Sequence, residues 1–123
     1  MKILKTYNQL FEDIDIDIKN GMILRFQNTF VVLIDSDDEF YHCVKIGKLG
    51  STMFSFKFQY KVSRVQYTKM YPIDYYDNDL LYKIFFHMKK ETIDELLEYG
   101  VDIKENEQYM KYLKNKSVRD FNL

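Results

Sequence analysis

Apolar positions change period twice along the chain. Leu4, Tyr7, Leu10, Phe11 and Ile14 recur at helical spacing, which predicts a short first helix. Asp13-Ile14-Asp15-Ile16-Asp17-Ile18 then alternates strictly, but Asp is a poor strand former. We read that run as an irregular lead-in that ends in a turn at Asn20-Gly21. From Met22 the period is that of a strand. Met22 to Phe26 reads as one strand, Gln27-Asn28 as a two-residue turn, and Thr29 to Ile34 as a central strand buried on both faces. The acidic run from Asp35 to Glu39 is the next turn. It is followed by a strand with Phe40, His42, Val44 and Ile46 on one face and Tyr41, Cys43 and Lys45 on the other. Phe54, Phe56, Phe58, Tyr60 and Val62 then alternate with polar residues, which predicts one aromatic face and one polar face. The alternation changes phase after Ser63, so a bulge or sharp bend is expected near Ser63-Arg64.

Pro72 closes the strand region, and the helical period returns beyond it. Asp77-Asn78-Asp79 offers an N-cap for the stripe Leu80, Leu81, Ile84, Phe85 and Met88. Thr92 with Glu95 fits a capping box, which allows a break near Lys89-Lys90. Ile93, Leu96 and Leu97 continue the stripe, and Gly100 is a helix stop. A last helix is expected from Glu105 to Lys116, with Tyr109, Met110, Tyr112 and Leu113 facing inward, before a frayed tail from Ser117 to Leu123. Strands grouped before helices predict an α+β fold: an N-terminal helix, a four- to five-stranded antiparallel sheet or small bent barrel, then two to three C-terminal helices. Leu33, Phe56, Phe58, Ile84 and Leu97 are expected to share one core. The expected organisation is one domain over 1–123, with helix and turn over 1–21, the β region over 22–71, the helical region over 77–116 and a tail over 117–123.

Composition supports a packed fold. Of 123 residues, 46% are hydrophobic and 30% charged. There are 11 Tyr and 10 Phe, but no Trp, no Ala, one Pro, and Arg only at 25, 64 and 119. Residues with AT-rich codons dominate, which suggests a low-GC bacterium or a phage or plasmid living in one. Cys43 is the single cysteine, so no internal disulfide forms. The N-terminal residues lack the apolar core of a signal peptide, and no run is long and apolar enough for a membrane span. A cytoplasmic location is expected. The net charge of −1 conceals a basic block, because residues 41–76 hold six basic groups and only Asp74.

No catalytic or metal motif stands out. Counted from Asp13, a calcium loop needs Gly where Ile18 stands and Glu where Leu24 stands. The acids at 35, 37, 38 and 39 suit a hairpin tip, where Asp accepts local backbone hydrogen bonds. His42 and Cys43 point to opposite faces of a strand, and two His with one Cys fall short of a structural zinc set. The four Gly form no phosphate loop. No metal and no cofactor are expected, and the balance leans away from an enzyme.

The basic-aromatic segment from Phe54 to Lys69 carries the candidate surface. Lys57, Lys61, Arg64 and Lys69 lie on or beside an aromatic strand, a combination that serves phosphate contact and base stacking. Alternation sends the two sets to opposite faces, so a solvated basic face is the simpler reading. Tyr109 and Tyr112 are second candidates, because Tyr suits interfaces. The expected function is a small non-enzymatic binding protein, a phage- or plasmid-type accessory factor that inhibits or regulates a host system through protein or nucleoprotein contacts. Anti-CRISPR proteins are one such class. A nucleic-acid-binding regulator that uses the basic strand is an alternative, and no membrane partner is expected. A bent barrel followed by helices also resembles, over roughly 20–100, the MazF and PemK ribonuclease toxins, which implies RNA cleavage by a catalytic Arg. The chain departs from that family in lacking its Gly-rich loop and Arg-Pro element, and Arg25 and Arg64 lie in no matching motif.

Overall fold

The structure is a computed structural model that describes residues 18–50, 52–65, 70–75 and 77–121, with side chains beyond 116 left undescribed. The predicted first helix over 1–17 lies outside the described residues. Among the described residues five strands form one antiparallel sheet: β1 (Ile23–Phe26), β2 (Thr29–Ser36), β3 (Phe40–Lys48), β4 (Phe54–Ser63) and β5 (Tyr71–Pro72). Their order is β4-β3-β2-β1-β5, so the sheet is open and the barrel alternative does not hold. Three α-helices follow among the described residues: α1 (Asn78–His87), α2 (Lys90–Glu98) and α3 (Glu107–Phe121). The architecture is α+β.

Local chemistry explains the joints. Gly21 turns the chain at φ +90°, and Gln27 opens the two-residue β1–β2 hairpin at φ +51°. Arg25 braces that hairpin by donating from Nε to the Gln27 carbonyl at 2.8 Å. Pro72 sits on an edge strand, where its missing N–H is harmless. Asp77 caps α1 by accepting the Leu80 N–H at 2.9 Å. The chain leaves helical geometry at Met88, and α2 restarts from Lys89 without a side-chain cap. Thr92 is therefore inside α2, two residues past the helix start, and does not cap it as the Thr92/Glu95 pattern predicts. Gly100 (φ +83°) ends α2, with Gly100 N–H bonded to the Leu97 carbonyl and Val101 N–H to that of Leu96, each at 2.9 Å. The last helix runs on to Phe121, so the backbone expected to fray from Ser117 is helical through that point.

Apolar side chains form two layers, one on each side of the sheet, and not one core. Ile23, Val32, Val44 and Ile46 meet Leu81, Ile84, Phe85 and Leu96 of the helices. Leu24, Val31, Leu33, Cys43 and Val62 make the opposite layer. Leu33 and Ile84 thus belong to different clusters. Phe56 and Phe58 are half-buried against the helix layer, and Leu97 is 48% exposed. Met110 and Leu113 also face outward, because α3 packs through the stripe that carries Gln108 and Tyr112. Gln108 is buried and its amide Nε2 donates to the Ile23 carbonyl at 2.7 Å, tying α3 to β1.

Two bulges lie side by side across β3. On β2 the register slips between Leu33 and Asp35, leaving Ile34 as the extra residue. On β4, Lys57 faces Lys45 and Tyr60 faces Cys43, so Phe58 and Gln59 together oppose Val44. Gln59 adopts φ +63°, a left-handed geometry that disfavours a non-glycine residue. A bulge that the sequence pattern does not announce thus falls at Phe58-Gln59, while the bend expected near Ser63-Arg64 is the strand end at Ser63 and the turn at Arg64-Val65. Phe54, Phe56 and Phe58 pack in the helix layer, whereas Tyr60 and Val62 pack in the opposite layer.

Candidate interaction surface on β3 and β4

The bulge at Gln59 divides the predicted basic face. Before it, Lys57 stands on the face away from the helices, directly opposite Lys45. After it, Lys61 stands on the helix-facing side, where it pairs with His42 and lies 5.5 Å from the Phe40 ring centroid. Arg64 lies over the Tyr41 ring at 5.1 Å and donates to the Asp37 carbonyl at 2.6 Å. Lys69 is outside the described residues. Tyr109 and Tyr112 pack in the seam between α1 and α3, with Tyr112 buried and both rings against Phe85 at 5.3 and 5.4 Å.

Lys45 was not singled out by sequence. Its pairing with Lys57 depends on the β3–β4 register, and no local signal sets that. Both residues are exposed and directly opposed in register, and like charges at such positions cost stability. Across β3 and β4 the strand positions hold Lys45, Lys48, Lys57, Lys61 and His42 and no acid. Among the described residues no carboxylate forms an ion pair with Lys45, Lys57 or Lys61. The nearby aromatic faces are occupied: Lys45 lies 5.4 Å from the Tyr60 centroid and Arg64 covers Tyr41. β4 is also the edge of the sheet, where lysines and a bulge hinder uncontrolled pairing.

On the helix-facing side the two bulges border a cleft of about 610 Å³. Asp35, His42 and Lys61 cross it in register on three adjacent strands, and Tyr99 at the end of α2 closes one side by stacking on Phe58 at 5.2 Å. His42 Nε2 is 2.7 Å from the Asp37 carboxylate. That contact, with the Phe40 and Glu39 N–H groups, holds the Asp37 carboxyl down at about 2. Burial pushes the Cys43 thiol up to about 12, so it is not a ready thiolate nucleophile. His87 ends α1 against the rings of Phe54 and Phe86.

Among the described residues no helix is long and apolar enough to cross a membrane. Comparison of the chain with protein-family models, curated proteins and solved structures finds no match.

Proposed function

We propose that this chain is a non-enzymatic binding protein, an accessory factor of phage or plasmid type that regulates a host system by docking an acidic protein partner on the lysine margin formed by β3 and β4. The opposed pair Lys45 and Lys57 carries this reading. Like-charged residues paired across two strands, with no ion-pairing carboxylate among the described residues, are relieved when a partner supplies one. A protein partner suits the surface better than single-stranded nucleic acid, because the rings of Tyr41 and Tyr60 already lie under cations and offer no open stacking platform. The open sheet removes the architectural basis for the toxin resemblance.

The test is the triple variant Lys45→Glu, Lys57→Glu, Lys61→Glu. All three side chains are exposed, so thermal stability should change little. Pull-downs from host lysate compare it with the wild type, with and without nuclease. A partner that survives nuclease and is lost in the variant supports the proposal. Loss of all binding on nuclease treatment selects the nucleic-acid regulator, whose affinity should fall steeply with salt. Unchanged partners in the variant eliminate this margin.

A further inference from the structure

No described strand pairs with the outer edge of β4, the first strand in the sheet order. That edge runs regularly from Phe54 to Phe58 before the bulge at Gln59 interrupts it. Its two faces differ in chemistry. On the helix-facing side, Phe54, Phe56 and Phe58 are half-buried and line a groove of about 250 Å³ that extends to His87, Thr92 and Glu95. On the other side, Ser55 and Lys57 are exposed, with Lys45 behind Lys57.

We propose that the β4 edge from Phe54 to Phe58 takes up an extended peptide segment of another protein by strand addition, one in which apolar and acidic residues alternate. The inference rests on the docking margin proposed above and names the partner's chemistry and pose. A strand added to a sheet edge places its alternate side chains on the two faces of that sheet. Residues facing Phe54, Phe56 and Phe58 enter the groove and must be apolar. Residues facing Ser55 and Lys57 meet the exposed lysine side of the strand pair and must be acidic. Main-chain hydrogen bonds supply affinity, and the bulge limits the match to about five residues. The β4 edge of a second copy is a poor occupant, because it carries Lys57 and no carboxylate to meet the lysines of the first.

The probe is the capped hexapeptide Asp-Ile-Asp-Ile-Asp-Ile, the sequence of residues 13–18 of this chain. Titration into the full chain is followed by amide chemical shifts. The expected result is shift changes centred on Ser55 to Phe58, and at least tenfold weaker binding when the central Asp-Ile is replaced by Pro-Pro, which removes an N–H from each side of the added strand. The variant Lys57→Glu should lose the acidic peptide and gain the Lys-Ile-Lys-Ile-Lys-Ile counterpart, a charge swap that mere unfolding cannot imitate. Absence of shifts in β4 at millimolar peptide both in the wild type and in the variant Asp13→Asn, Asp15→Asn, Asp17→Asn, which removes the chain's own copy of the acidic pattern, equal binding of the Pro-Pro peptide, or an unswapped preference in Lys57→Glu would each overturn the proposal. Sedimentation that showed a dimer lost in Lys57→Glu would assign the edge to a second copy and overturn it too. If the triple variant nonetheless loses its nuclease-resistant partner, the margin docks a protein by another mode, so the two readings fail separately.

Discussion

Asp37 shows how much one side chain can organise. Its Oδ1 accepts the N–H groups of Glu39 at 2.8 Å and Phe40 at 2.7 Å, its Oδ2 meets His42, and its carbonyl accepts from Arg64. The β2–β3 turn, the helix-facing row and the end of β4 thus converge on one residue. The acidic run made this turn legible in sequence, but the choice of Asp37 over Asp35, Asp38 and Glu39 was not, because it depends on where His42 and Arg64 arrive. A carboxyl whose folded value is lowered from 3.8 to about 2 stabilises the fold above its unfolded value and loses that contribution as pH falls through the folded one. The wild type should therefore melt above Asp37→Asn at pH 6, and the gap should close between about pH 4 and about pH 2. Melting curves of both proteins across that range check this. A gap that persists at the lowest pH would assign the effect to shape and not to charge.

Within β4 the sequence pattern and the structure part company for a definite reason. The alternation of Phe54, Phe56, Phe58, Tyr60 and Val62 is unbroken, yet the strand changes face midway. Both faces of the sheet are apolar here, so the switch leaves no mark in the pattern. Gln59 gives no glycine signal either, because it takes the left-handed geometry itself. The β1–β2 hairpin, the Asp77 cap and the Gly100 stop were legible because each rests on two or three neighbouring residues. The candidate surface was legible only in part: its lysines are in the sequence, but their faces follow from the bulge. Deleting Gln59 should remove the extra residue and leave every other β4 side chain on its present face. Deleting Lys57 should instead send Phe58 to the far side and Gln59 under the helices. We expect the first deletion to retain a cooperative fold, and the second to be less stable by at least about 2 kcal/mol from lost aromatic packing alone. Urea unfolding of the two variants decides it, and equal stability would contradict the assigned bulge.

At the scale of the whole molecule, the sheet separates two apolar layers that the sequence pattern presented as one. Periodicity tells which residues are buried, but it does not tell on which side of a sheet. Leu33 and Ile84 share the property of burial, at 2% and 0% exposure, and share no cluster. Residues that contact neither each other nor a common partner contribute to stability independently. Leu33→Ala should cost about 2–5 kcal/mol and Ile84→Val about 0.5–1.5 kcal/mol. The double variant should lose the sum to within about 0.5 kcal/mol, because the sheet backbone lies between the two cavities. The mild Ile84→Val change is chosen to keep the double variant folded enough to measure. Equilibrium urea unfolding gives all three values, provided that the slope with denaturant stays that of the wild type. A coupling above about 1 kcal/mol would mean that the two layers pack as one body, and that a change on the helix side reaches the lysine-bearing face through the sheet.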